Sequence, residues 1–198
     1  MKRMFDFLFA VALLVALSPL LLTLVFLVRF KIGSPVFFTQ DRPGLNGSVF
    51  QLIKFRSMTN DVGVDGQLLP DAERLTSFGR WLRSSSLDEL PELWNILRGD
   101  MSFIGPRPLL VRYLERYSPE QARRHEVRPG ITGWAQVNGR NTISWEDRFR
   151  LDVWYVDNHS LWLDVKIVWM TVAKVLKREG ISPEGAEIMP EFMGTRDD

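Results

Sequence analysis

The chain has 198 residues, with 25 Lys and Arg against 24 Asp and Glu, and a net charge of +1. So even a balance gives no bulk positive field, and nucleic acid is not expected as a partner. With no cysteine, a disulfide framework, a thiolate metal site and a cysteine nucleophile are excluded.

The first element is an apolar helix. Phe7–Val28 is a run of 22 residues without a charge, and about 20 suffice to cross a bilayer. A signal peptide would have a core of about 7–15 residues and a small-residue cleavage site; this run ends in Phe26, Leu27, Val28 and Arg29. Ser18 and Pro19 stand at its middle. Pro19 removes one backbone donor and clashes with the carbonyl four residues back, while the Ser18 hydroxyl can bond a carbonyl about one turn earlier. Lys2 and Arg3 precede the run; Arg29 and Lys31 follow it. Positive charge marks the cytoplasmic side. A spanning helix would push one basic pair outward, whereas a helix that bends at Ser18-Pro19 and leaves by its face of entry keeps both inside. Both readings stand, and the flanks favour re-entry.

A β-hairpin follows, with strands over Val36–Gln40 and Val49–Phe55 around the turn-forming "DRPGLNG". Strand alternation puts Lys54 and Arg56 on one face, either as solvated cations or as ligands for an anion. Residues 60–72 read as a loop and 76–83 as a short helix. The segment 84–100 holds a longer helix that starts near Leu87, or starts at Ser86 and bends at Pro91. In both cases Asp88 and Glu89 sit at its N-terminal end. Residues 99–110 form a connector with two prolines around Arg107, and 128–140 a glycine-punctuated loop. Ser144 with Asp147 fits a capping box for the next helix. Ser160 opens the last one, through about Arg178 and ended by Gly180. Its apolar stripe of Leu161, Val165, Val168, Trp169, Val172, Val175 and Leu176 suits a core face. The tryptophans at 145, 154, 162 and 169 suit a membrane interface equally well. The tail after Ser182 is polar and reads as loosely ordered.

Adjacent acids at a helix start have a plain meaning, since they complement the helix dipole. This pair stands among segments carrying Arg83, Arg98, Arg107, Arg112 and Arg140. Arginine matches phosphate oxygens, one carboxylate can share Mg²⁺ with substrate phosphates, and a second can act as nucleophile. The residues point to phosphoryl chemistry at a membrane surface. His125 and His159 lie in no motif and read as structural.

The motifs "KFRSM" (54–58), "DELPELWNILRGDMSFIGPRP" (88–108) and "RPGITGWAQVNGR" (128–140), behind the basic N-terminus with Ser18-Pro19, are similar to those of the bacterial sugar transferases called small monotopic phosphoglycosyl transferases. The resemblance covers about Lys2 to Lys177. It implies the compact form of the family, without the membrane helices that larger relatives carry ahead of this region. The implied fold is α+β and mainly helical. It comprises a re-entrant membrane helix hairpin at 1–31, a catalytic domain at 32–182 with a small β-hairpin and interfacial amphipathic helices, and the tail at 183–198.

The implied reaction moves sugar-1-phosphate from a UDP-sugar to a polyprenyl phosphate such as undecaprenyl phosphate, with UMP leaving. Asp88 is the implied nucleophile, forming an acyl-phosphate. Glu89, with Asp88, is the implied Mg²⁺ ligand. Lys54, Arg56, Arg107 and Arg140 are the implied phosphate ligands. Lys2, Arg3, Ser18 and Pro19 set the re-entry, which places the site at the cytoplasmic leaflet of a bacterial inner membrane. The helix dipole and Mg²⁺ are expected to lower the Asp88 pKa. A Mg²⁺-dependent phosphohydrolase and a non-catalytic nucleotide- or lipid-binding module are the rival readings. Neither the sugar nor the oligomeric state follows from these residues.

Overall fold

The structure is a computed structural model that describes residues 2–139, 143–177 and 191–194. It is α+β and mainly helical, with two small two-stranded sheets.

The apolar run forms two helices, α1 (Lys2–Ala16) and α2 (Ser18–Lys31), bent by 66°. Pro19 falls in the first turn of α2, where its missing N–H costs nothing. The Ser18 hydroxyl donates to the Val15 carbonyl at 2.8 Å, taking up an acceptor freed at the break. No single helix among the described residues is long and apolar enough to cross a membrane; the bent pair passes that test only jointly.

The two arms of the bend pack on different parts of the domain. Ala10 of α1 joins Leu52, Leu93, Ile96 and Met101 in one buried cluster. Leu24 and Val28 of α2 join Phe55 and Leu82 in another, with Leu87 and Leu90 against it. The basic residues that open α1 latch onto the domain: Lys2 pairs with Asp164 and bonds Tyr155, and Arg3 donates to the carbonyls of Ile96 and Leu97. The Leu97 carbonyl is one that the end of a short helix, Glu92–Arg98, leaves free.

The hairpin forms as expected, with β1 (Phe37–Pro43) running three residues past the end that the sequence suggests. It pairs antiparallel with β2 (Val49–Phe55), and Phe38 lies opposite Lys54. After the loop and a short turn of helix, α3 (Asp71–Arg74), comes α4 (Ser77–Ser84), capped by the Thr76 hydroxyl.

One long helix at 84–100 does not form. Ser86 takes a left-handed conformation at φ 56°, Leu87–Glu89 makes a 3₁₀ turn, and the α-helix α5 runs only over Glu92–Arg98. Pro91 is its N-cap. Asp88 and Glu89 therefore precede the helix and do not form its first turn. Gly99 ends α5 at φ 93°, a conformation in which a side chain is strained. The buried Asn95 ties α5 to the free edge of β2, accepting the Ile53 N–H at 3.0 Å and donating to the Gln51 carbonyl at 2.7 Å.

The connector and the glycine-punctuated loop both contain structure that the sequence reading missed. β3 (Ser102–Ile104) pairs in parallel with β4 (Gly130–Thr132). A Cβ on Gly130 would lie 2.1 Å from the Gly105 nitrogen, so only glycine lets these segments close. The short helices α6 (Pro119–Ala122) and α7 (Trp134–Asn138) follow. The domain closes with α8 (Trp145–Asn158), capped by Ser144 as expected, and α9 (Leu161–Lys177). The far end of α9 at Arg178 and Gly180 lies outside the described residues.

The stripe on α9 resolves against the core reading. Leu161, Val165, Val168 and Val172 are exposed, as are Trp162 and Trp169 at 80 % and 74 %, while Leu163 and Ile167 face inward. The tail, expected to be loose, is described only at 191–194, and there it docks. Phe192 is buried among Tyr113, Tyr117, Trp145 and Phe149, and Glu191 pairs with Arg112 and Arg116.

Candidate active site

The 3₁₀ turn at 87–89 is held from behind. Leu87 and Leu90 pack into the α2 cluster, so the two acids between them turn the other way, toward the hairpin and the connector. Lys54 arrives from β2 and Arg107 from the connector. Glu89 Oε1 accepts from both, Lys54 Nζ at 2.7 Å and Arg107 Nη2 at 2.7 Å. Lys54 also lies 3.1 Å from Glu92 Oε1. Burial works against the Glu89 anion, but Arg107 and Lys54 outweigh it and hold its carboxyl well below the usual range. Burial pushes Glu92 well above that range.

Asp88 differs from both. It is 9 % exposed and makes no hydrogen bond or ion pair among the described residues. The lowering expected from a helix dipole does not occur in the metal-free chain. Burial, with the Glu89 charge beside it, pushes it up to about 6 against the pull of Lys54, Arg83 and Arg107. A turn of three residues has no helix dipole to offset this.

Two cavities meet here. The larger, about 530 Å³, is lined by Arg42, Lys54, Arg56, Arg74, Arg83 and Arg107 around Asp88 and Glu89. The smaller, about 320 Å³, lies under α7, α8 and α9 and shares Ser86, Glu89 and Arg107 with the first. Six cations about three acids, Asp71 included, make the larger cavity a receptor for a polyanion.

The donor set also suits a cation brought by that polyanion. Both bonds to Glu89 fall on Oε1, which leaves Oε2 and the Asp88 carboxylate to bind. Mg²⁺ takes one or two protein carboxylates and completes its shell with substrate phosphates and water. Among the described residues no cluster of three or more His, Asp or Glu forms a ready-made cage, so the fit is to an ion shared with substrate.

A family model described as bacterial sugar transferase matches residues 1–178. The chain belongs to the bacterial sugar transferase family. It is 56 % identical to the uncharacterized sugar transferase EpsL of Bacillus subtilis, over 100 % of this chain and 98 % of that protein. It is 40 % identical to the exopolysaccharide production protein ExoY of Sinorhizobium fredii, covering 90 % of the chain and 87 % of ExoY. It is 41 % identical to the UDP-galactose-lipid carrier transferase of Erwinia amylovora over 91 % of the chain, but spans only 41 % of that protein's length.

Of the residues singled out from the sequence of this sugar transferase, Asp88, Glu89, Lys54 and Arg107 come together at one point. Arg56 lines the same cavity, but its guanidinium donates to the carbonyls of Ser34 at 2.8 Å and Ile32 at 3.0 Å, bracing the chain after α2. Arg83 lines it too and donates to Ser57 at 2.8 Å. Arg98 and Arg112 lie elsewhere, paired with Asp100 and Glu191. Arg140 lies outside the described residues. His125 is buried away from both cavities, and burial pushes its pKa down to about 4; His159 bonds the Val156 carbonyl at the end of α8.

The sequence reading missed Glu92 and Arg42. Glu92 could have been found by spacing, since it follows Glu89 by three residues and shares its face. Arg42 alternates with Phe38 and Gln40 on the sheet face that carries Lys54.

Proposed function

We propose that this sugar transferase moves sugar-1-phosphate from a UDP-sugar to a polyprenyl phosphate, releasing UMP, through a covalent intermediate on Asp88. The names of relatives support the reaction class: they include an undecaprenyl-phosphate glucose phosphotransferase from Komagataeibacter xylinus and an undecaprenyl-phosphate galactose phosphotransferase from Salmonella typhimurium. The observation that carries the mechanism is the division between the two acids. Glu89 is tied to Lys54 and Arg107, whereas Asp88 is unpaired and faces the cationic cavity.

In this reading the diphosphate lies among Lys54, Arg83 and Arg107, whose charges screen it from the acids. An Asp88 oxygen attacks the phosphorus that carries the sugar. The bond from that phosphorus to the bridging oxygen breaks, and UMP leaves with the bond's electron pair. Arg107, held by Glu89, binds the phosphoryl oxygens as charge builds on them. The polyprenyl phosphate oxygen then attacks the same phosphorus and returns Asp88 as a carboxylate. Two steps at one nucleophile avoid bringing two polyanions together. Mg²⁺, bound by Asp88 and Glu89 Oε2 with the substrate phosphates, would neutralise charge on the diphosphate.

The α1–α2 bend, with Phe5, Phe9, Val15, Leu22, Phe26 and Phe30 exposed, supports re-entry into the cytoplasmic leaflet. The exposed tryptophans of α9 support a second contact at that interface. Purified protein given UDP-sugar and Mg²⁺ without lipid should release up to one equivalent of UMP and gain the phosphosugar mass on the peptide containing Asp88. UMP release only with polyprenyl phosphate would make the transfer direct. Free phosphate or sugar phosphate in place of lipid product would make the protein a hydrolase, and no turnover at all a binding module.

A further inference from the structure

The smaller cavity has no part in the phosphoryl chemistry above, yet it opens directly onto it through Ser86, Glu89 and Arg107. Beside the cations Arg148 and Lys174 its own walls carry acceptors and an apolar patch. Gln136 Oε1 is buried with no hydrogen-bond partner, while its Nε2 donates to the Ile131 carbonyl at 2.8 Å, which fixes the oxygen as the free end. Asp152 holds Arg124 through Oδ2 alone, at 3.1 Å and 2.7 Å, leaving Oδ1 as an acceptor. Lys174 makes no ion pair among the described residues and supplies a donor from α9. Ile131, Ala135 and Val137 give an apolar patch between these groups.

This combination selects a ligand class. A phosphate offers acceptors only, so it could use Arg148 and Lys174 but would leave the Gln136 and Asp152 oxygens unmet. A sugar ring offers hydroxyls, which donate and accept, together with an apolar C–H face. A buried acceptor without a partner costs about 1–3 kcal/mol, so a hydroxyl that reaches Gln136 is well rewarded. The volume of about 320 Å³ lies at the small end of ligand pockets, which run from about 300 to 1,000 Å³.

We infer that the cavity under α7, α8 and α9 is the sugar subsite, in which Gln136, Asp152 and Lys174 bind sugar hydroxyls while the phosphorus sits at Asp88 and the nucleotide lies in the cationic cavity. This rests on the reading of the reaction given above. Sugar choice is then set by residues of β4, α7, α8 and α9.

The test compares Gln136→Met and Lys174→Met with the unmodified protein. The second variant breaks no backbone hydrogen bond and so reports even if the first folds poorly. The readouts are the lipid-free UMP burst with UDP-glucose, UDP-galactose and UDP-N-acetylglucosamine, and inhibition of that burst by added UMP. Losing one hydroxyl contact should cut the burst rate at sub-saturating preferred UDP-sugar by about 10- to 100-fold. The ratio among the three sugars should change, and UMP inhibition should stay within about twofold. A deoxy analogue lacking the contacted hydroxyl should be equally slow with variant and unmodified protein.

Equal losses on all three sugars with weakened UMP inhibition would make the cavity part of the nucleotide site. An unchanged burst with a raised KM for undecaprenyl phosphate would make it the acceptor site. Either result overturns the assignment. Absence of any burst in the unmodified protein fails the reaction reading itself, which is a different outcome.

Discussion

Asp88→Asn should inactivate the enzyme and stabilise the metal-free protein. Asp88 titrates near 3.8 in an open chain and at about 6 in the fold. Between those values the folded state holds the proton that the unfolded state has lost. Stability therefore falls as pH rises through this window, and the penalty is complete above about pH 6. Two pKa units correspond to about 3 kcal/mol. Asparagine keeps the shape and removes the charge, so at pH 7.5 in EDTA the variant should gain up to about 3 kcal/mol. For a chain of this size that is roughly 6–12 °C in Tm. At pH 4.5 the gain should fall to about a third of that or less, because wild-type Asp88 is then protonated. Mg²⁺ with UDP should raise the wild-type Tm and move the variant much less. Thermal unfolding followed by the fluorescence of the seven tryptophans measures each value. A variant less stable than wild type at pH 7.5, or a difference independent of pH, would refute the argument that burial and Glu89 destabilise the Asp88 anion.

Other perturbations have equally direct readouts. Arg107→Ala should lower kcat/KM for UMP release by about 100- to 1,000-fold. Arg107→Lys should recover little, because one ammonium cannot hold both Glu89 and a phosphoryl group, while the exposed Arg98→Ala should be near wild type. Asp152→Ala leaves Arg124 buried without its partner and should cost about 3–5 kcal/mol in denaturant unfolding. Below pH 6.5 the fold should lose stability through His125, whose pKa is pushed down to about 4. The unfolded chain binds the proton first, so the loss grows from about pH 6.5 down to about 4, and His125→Gln should flatten that limb of the pH profile. Cysteines in place of the exposed Met4 and Phe30 should both be labelled from the cytoplasmic side alone. Labelling of either from the opposite side would make the α1–α2 pair a spanning segment.

Much of the site could be read without coordinates because its parts sit in short stretches with local signatures. The break at Ser18-Pro19 follows from a missing N–H and a steric clash within one turn. The hairpin and the cap at Ser144 have the same local character. Asp88 and Glu89 are adjacent, and their link to Lys54 and Arg107 came from motif resemblance. What failed was the local geometry around the acids. Pro91 permits either a helix start or a turn before a helix, and the packing of Leu87 and Leu90 against α2 selects the turn. The apolar stripe of α9 was ambiguous for a related reason. Periodicity says which residues share a face and leaves open what that face meets.

The sequence by itself determined the bend in the N-terminal apolar helix, the strand pairing at 37–55, and the presence of an acid pair among arginines in a bacterial sugar transferase, because each depends on residues close together in the chain. Only the tertiary structure decided which acid is free and which is tied, and that the free one is destabilised as an anion. Pairing and burial depend on Lys54 and Arg107 meeting Glu89 across 35 and 18 residues. The second cavity was likewise decided by the fold, since it exists only once β4, α7, α8 and α9 close on one another. Segments 131–137, 148–152 and 171–174 share no local pattern, and long-range packing alone turns their side chains toward one space.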